Sequence, residues 1–255
     1  KDCLSRCNIK RPRKAAFFLF CSGTINYMQP LLLLHGAIGA SDQLVNIAEE
    51  LSDNYKIYTL DFSGHGGKPF PAEPLSIQLF AREVLAFLDE EGLDKVSIFG
   101  YSMGGYVAMY LAKHHPERVD KIVTLATKFH WDEPTAAKEA KMLDAGKIEE
   151  KLPAFAAALQ KRHAPNDWKE LLGKIIDMLH NMGQDNPLKP EDYTSINKPC
   201  MILLGDRDKM ITLEETIQVY KTLPNAQMGM LPNTQHPIEQ VNVPYLLFYV
   251  RQFIQ

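Results

Sequence analysis

Phe99-Gly100-Tyr101-Ser102-Met103-Gly104-Gly105 stands near the middle of this 255-residue chain, directly after the apolar run Val96-Ser97-Ile98-Phe99. A short apolar run bounded by glycine reads as a buried strand, and Met103 to His114 reads as a helix. Ser102 therefore falls on the sharp turn between them. Gly100 and Gly104 lack Cβ atoms, so strand and helix can approach closely around the serine. The helix aims its free N–H groups and the positive end of its dipole at the space before Ser102, which favours negative charge developing there. The plain alternative is a glycine-rich turn with an incidental serine. What separates the two is a strand before and a helix after, and both are present.

Other chemistry-bearing residues fall at matching places. Leu31-Leu32-Leu33-Leu34 runs into His35-Gly36-Ala37-Ile38-Gly39, and Lys56–Leu60 into Asp61-Phe62-Ser63-Gly64-His65-Gly66. Cys200–Leu204 runs into Gly205-Asp206-Arg207-Asp208-Lys209-Met210. The weaker strand candidate Met228–Leu231 is followed by Pro232-Asn233-Thr234-Gln235-His236-Pro237. Each lies just past a strand, where ligands bind in open α/β sheets. Serine is a poor nucleophile at neutral pH unless a base lies within hydrogen-bond reach. His236 can supply that base, and Asp206 and Asp208 compete to orient it.

Strands proposed at about 31–34, 56–60, 96–99, 121–125, 200–204 and 227–231 alternate with helices, which predicts an α/β fold with a mostly parallel sheet covered on both faces. Ser76–Glu90, Leu213–Leu223 and Val243–Phe253 carry helical apolar spacing. Between 129 and 195 the alternation stops. Helices are expected there at Pro134–Ala145, Pro153–Arg162 and Trp168–Met182, with the prolines in first turns and Gly146 and Gly183 at the ends. The division expected is a core of 1–128 and 196–255, with an inserted helical segment 129–195. Phe155, Trp168, Ile175, Met178 and Met182 either pack that segment onto the core or line a pocket beneath it. His130, His163 and His180 lack metal-ligand spacing and read as solvated or hydrogen-bonded, so no metal site is expected.

With 45% hydrophobic and 23% charged residues, the composition is that of a soluble globular protein. A net charge of −3 gives no electrostatic case for nucleic acid or an anionic membrane, and no run approaches the roughly 18 apolar residues of a membrane span. Cys3 and Cys7 lack a second ligand pair for zinc, Cys21 lies in an apolar run, and Cys200 reads as a small core residue. This usage leans toward a reducing, cytoplasmic setting. Lys10–Lys14 before Ala15–Cys21 resembles the start of a secretory signal, but no cleavage-type small-residue site follows. A β-hairpin over Phe17–Cys21 and Thr24–Met28 is preferred, with 1–14 a possible tag or extension.

On these residues the chain, from about 24 to the C-terminus with an interruption near 129–195, resembles the α/β-hydrolase superfamily, in particular its serine esterases with a helical lid. The resemblance implies Ser102 as nucleophile, an acid and then a histidine following in chain order, and His236 as base. It favours Asp208 as the acid because that residue commonly follows a G-x-x pattern, leaving Asp206 to tie down the turn. It implies an oxyanion hole from the backbone N–H groups of Ala37 and Met103, a structural His65 in a D-x-x-G-H-G loop, a lid over 129–195, and no metal or organic cofactor. Ser102 argues against epoxide hydrolase and dehalogenase chemistry, which uses aspartate there. Pro237 stands where carbon–carbon hydrolases carry Trp, which counts against that reaction but leaves it an alternative. Ester, thioester and lactone hydrolysis remain open, as do perhydrolysis and a non-catalytic receptor or scaffold on the same fold. Since the expected lid offers Phe155, Trp168, Met178 and Met182 but no Arg or Lys clamp, a small to medium uncharged ester is the expected substrate.

Overall fold

The computed structural model describes residues 28–255. The expected hairpin lies, apart from Met28, outside the described residues, as do 1–14, Cys3, Cys7 and Cys21. Six strands, β1 (Gln29–Leu34), β2 (Tyr55–Leu60), β3 (Val96–Tyr101), β4 (Val119–Leu125), β5 (Cys200–Gly205) and β6 (Ala226–Leu231), form one sheet in the order β2-β1-β3-β4-β5-β6. Every pairing is parallel. β2 lies on one side of β1 and β3 on the other, so the loops leaving β1 and β3 diverge and open a crevice at the C-terminal edge of the sheet.

The four-leucine run shows why this sheet reads as continuous apolar sequence rather than alternation. Side chains alternate faces along a strand. Leu32 and Leu34 pack with Phe80, Ile98 and Val107, whereas Leu31 and Leu33 pack on the opposite face with Ile47, Phe99, Leu246 and Val250. The first face is covered by α2 (Ile77–Glu90) and α3 (Met103–His114), the second by α1 (Val45–Leu51) and α9 (Val243–Phe253). Ser76 Oγ caps α2 by accepting the Leu79 N–H at 3.1 Å.

Between β4 and β5 the chain is helical throughout its regular elements: α4 (Glu133–Ala140), α5 (Ala145–Lys151), α6 (Pro153–His163) and α7 (Trp168–Gln184), with α8 (Leu213–Thr222) following β5. The helix expected over Pro134–Ala145 ends at Ala140 and gives way to a 3-10 turn, Lys141–Leu143, before a separate helix begins at Ala145. Asp144 accepts the Lys147 N–H at 3.1 Å and starts α5 afresh, so Gly146 lies in a first turn and ends nothing. Gly183 does lie at a helix end, one residue before the last of α7. A Cβ there would lie 2.7 Å from Ala136 Cβ, so glycine lets α7 press against α4. Among the described residues no helix is long and apolar enough to cross a membrane.

Two glycines test these packing statements in opposite directions. A Cβ at Gly104 would sit 2.4 Å from the Leu34 carbonyl oxygen and 2.8 Å from that of His35, both rigid backbone. Gly104→Ala is expected to destabilise by about 1–3 kcal/mol or more. Gly173 is exposed within α7 with open space around its Cα. Gly173→Ala is expected to stabilise by about 0.5–1 kcal/mol. Urea unfolding of both variants checks the pair through opposite shifts in midpoint at constant slope.

Candidate active site

Ser102 sits between β3 and α3 with φ 51° and ψ −115°. That left-handed backbone is unfavourable for a residue with a Cβ, costing about 1–3 kcal/mol. Its surroundings hold it there. The Ser102 N–H donates to the Leu125 carbonyl at 2.8 Å, extending the β3–β4 ladder past the last strand residue. The Ser102 carbonyl accepts the Gly105 N–H and the Thr127 hydroxyl, at 3.0 and 3.1 Å. A Cβ at Gly100 would lie 2.4 Å from the Gly105 nitrogen. The side chain is thereby presented to a cavity of about 260 Å³ whose wall also includes Ala37, Met103 and His236.

His236, in the loop after β6, is hydrogen-bonded through Nδ1 to Asp208 Oδ2 at 2.8 Å. The Asp208 side chain is wholly inaccessible. Its other oxygen accepts the N–H groups of Met210 and Ile211 at 2.8 and 3.0 Å. Burial alone would push this carboxyl up. The hydrogen bond and charge of His236, with the two N–H donors, outweigh burial and hold it below its ordinary value. Asp206 turns elsewhere and accepts the Thr234 N–H at 3.1 Å, bracing the approach to His236. Tyr101 braces the other side, donating its hydroxyl to the His236 carbonyl at 3.0 Å. Among the described residues Ser102 Oγ has no hydrogen-bond partner; catalytic contacts are commonly long before substrate binds.

Met103 is the first residue of α3, so its N–H has no intrahelical acceptor. Ala37 is held by its carbonyl, which lies 2.7 Å from Nε2 of the fully buried His65. His163, on α6, accepts the Gly66 N–H at Nδ1 and donates from Nε2 to the Ile38 carbonyl, both at 3.2 Å. The ring centroids of His35 and His65 are 5.0 Å apart, and those of His65 and His163 5.9 Å. One histidine therefore ties the helical insertion to the loops after both β1 and β2.

Phe155, Met178 and Met182 line the cavity; Trp168 does not. Trp168 packs with Ile148, Ala156, Leu159 and Leu172 inside the helical insertion. It sits ten residues before Met178, about 15 Å along the helix axis, too far to share its pocket. Ile175 is buried in the main core. Lys128 and Arg162 also reach the cavity wall, each in ion pairs with carboxylates. Arg162 lies 2.9 Å from Asp42, and Lys128 lies between Glu139 and Glu215. His163, read in the sequence as solvated or hydrogen-bonded, is hydrogen-bonded; sequence reading missed Tyr101, Lys128, Trp131 and Glu139. Tyr101 alone carried a signal, its place beside the serine; the others converge only through tertiary packing.

The family model for the alpha/beta hydrolase fold matches residues 29–175, and the chain belongs to that family. A stretch of 117 residues is 35% identical to an abhydrolase domain-containing protein of Schizosaccharomyces pombe, covering 45% of this chain and 43% of that protein. Over 97 residues the chain is 32% identical to Esterase YbfF of Escherichia coli, covering 38% of this chain and 37% of the relative. The matches thus span about two fifths of these relatives' length. The solved structure of MenH from S. aureus superposes with a TM-score of 0.73 at 22% identity, covering 91% of this chain and 95% of that one.

Burial carries His163 down to about 4, with His65 and Arg162 adding to the shift and the Ile38 hydrogen bond and Asp42 opposing it. An unfolded histidine titrates near about 6.5. Between these values the unfolded chain binds a proton that the folded chain refuses, so stability is full above the window and falls as pH drops through it. Thermal unfolding is expected to shift to lower temperature from pH 7 to 4.5, and His163→Gln is expected to reduce that dependence. His35 and His65, also lowered by burial, supply a remainder. An unchanged slope in H163Q would contradict the assignment.

Proposed function

We propose that this protein is a serine hydrolase that cleaves a small to medium uncharged carboxylic ester, thioester or lactone through an acyl-enzyme. The observation that carries the reading is the strained Ser102, displayed to one cavity with His236, whose imidazole is hydrogen-bonded to the buried Asp208. A hydrogen-bonded carboxylate fixes the imidazole tautomer with its free nitrogen available as base. His236 takes the Ser102 hydroxyl proton as Oγ attacks the carbonyl carbon. The oxyanion is stabilised by the N–H groups of Ala37 and Met103, strengthened by the N-terminal end of α3. Collapse expels the alcohol, which leaves with the proton held by His236. Water, deprotonated by the same histidine, then attacks the acyl carbon, and Ser102 recovers its proton as the acid departs.

Family membership and a relative named as an esterase support this reading. A cavity of about 260 Å³ walled by Phe155, Met178 and Met182 suits a short acyl group better than a long-chain glyceride. The experiment is turnover of an aryl ester series from acetate to palmitate together with labelling by a fluorophosphonate. Ser102→Ala is expected to abolish labelling and lower turnover by up to about 10⁶ with the fold intact. Asp208→Asn is expected to lower it by up to about 10⁴, and Asp206→Asn by much less. Activity retained in folded S102A would sink the proposal, and a reversed order of the two aspartates would sink the assignment of the acid.

A further inference from the structure

The loop leaving β4 is strained at a residue the reaction does not use. Ala126 has φ 54°, a left-handed backbone unfavourable for a residue with a Cβ, and its N–H is fixed by the Leu203 carbonyl of β5 at 3.0 Å. β4 lies between β3, which leads to Ser102, and β5, which leads to Asp208. The two side chains after the bend reach one neighbour each. The Thr127 hydroxyl donates to the Ser102 carbonyl at 3.1 Å, and Lys128 Nζ donates to the Met210 carbonyl at 2.9 Å.

The Lys128 side chain is 11% exposed and faces two carboxylates, Glu139 on α4 at 3.4 Å and Glu215 on α8 at 3.6 Å. The plain reading is an ion pair that fastens the helical insertion to the core. Both distances exceed the usual span of an N–H···O hydrogen bond, about 2.7–3.2 Å, and the contact with Met210 does not. The directed bond is therefore to the backbone. That carbonyl belongs to the same peptide unit as the Ile211 N–H, which donates to Asp208 at 3.0 Å. In a trans peptide the two groups point in opposite directions, so ammonium and carboxylate grip one planar unit from its two ends. Positive charge at the carbonyl strengthens the N–H as a donor, since hydrogen bonds in series reinforce one another in a low-dielectric interior. Glu215 adds a second tie between the same two segments, accepting the Phe129 N–H at 3.1 Å and the Thr212 N–H at 3.3 Å.

We propose that Lys128 is a positioning residue for Asp208. Through the Met210–Ile211 peptide it fixes the carboxylate that orients His236, while Thr127 fixes the turn that carries Ser102. Two adjacent side chains at one strand end thus set the spacing of acid and nucleophile. The proposal rests on the hydrolase reading and adds a residue to it. Lys128 also reaches the cavity wall, so direct contact with substrate is the rival role.

The test is a double-mutant cycle between Lys128→Met, which keeps an unbranched side chain without the donor, and Asp208→Asn. The rate of fluorophosphonate labelling and kcat/KM for an aryl acetate are measured in the four proteins once circular dichroism shows them folded. With Asp208 present, K128M is expected to lower both by roughly 10–100-fold, the effect of a displaced catalytic group. In the D208N background it is expected to change them by less than about threefold, because groups that act as a unit are not additive. Equal losses in both backgrounds would overturn the proposal in favour of substrate contact or a purely structural role. Should K128M fail to fold with its carboxylates uncompensated, the cycle is run in Glu139→Gln protein, where one of them is neutral. A second readout needs no substrate: the low-field proton NMR signal of the His236 Nδ1–H, identified by its loss in His236→Gln. K128M is expected to move this signal upfield or broaden it away, and an unmoved signal would overturn the proposal. If the unsubstituted protein neither turns over an ester nor takes up the probe while K128M still moves the signal, the hydrolase reading fails and the positioning role stands.

Discussion

The close approach of α3 to the ends of β1 and β3 is the constraint on which the site depends. Three glycines make it possible, since a Cβ at Gly100, Gly104 or Gly105 would lie within 2.4 Å of a neighbouring atom. With no side chain to separate them, helix and sheet trap Ser102 in a backbone conformation it would not choose in isolation. The distortion lifts the hydroxyl out of the turn into the cavity. The same contact leaves the first N–H of α3 beside the serine. Display of the Ser102 hydroxyl and a local positive field thus come from one packing event.

Around that point the loops are held by side chains that do not themselves line the cavity. His65 holds Ala37, Asp206 holds Thr234, and His163 reaches from the helical insertion to Ile38 and Gly66. Each bond crosses between loops that leave different strands. The rigidity of the site is therefore a property of the whole C-terminal edge of the sheet rather than of one loop. Burial keeps the three histidines of this edge poorly protonated, as neighbouring imidazoles must be if they are to lie within 5.0 and 5.9 Å of one another.

Much of this was legible in the sequence because it is encoded locally. The Leu31–Leu34 run, the Val96–Phe99 run and the glycines around Ser102 each specify their structure within a few residues, and all six expected strands form. Loop position past a strand was enough to single out His236 and to narrow its partner to Asp206 or Asp208; only the family resemblance favoured Asp208, which the fold brings to 2.8 Å. The helical insertion was legible only in outline. Helix periodicity says that Trp168 is buried but not against what, and the α5 and α6 residues that cover it are distant from the catalytic loops. The break before α5 hung on one side chain, Asp144, competing with continuation of the helix. Lys128, Trp131 and Glu139 gave no pattern at all, since neither periodicity nor spacing says which polar residues a cavity will collect.

The groups that hold the acid are backbone ones. Met210 and Ile211 grip Asp208 through their amide N–H groups, and both residues form part of the cavity wall. Ala37 and Met103 occupy the same double position, with side chains on that wall and N–H groups facing the proposed oxyanion. An amide is present whatever the side chain. Mutation at these four positions can therefore reshape the pocket without removing any hydrogen-bond donor from the catalytic frame. The shape of the cavity and the hydrogen-bond frame beside it can therefore vary separately, one through side chains and the other through a backbone that every residue shares.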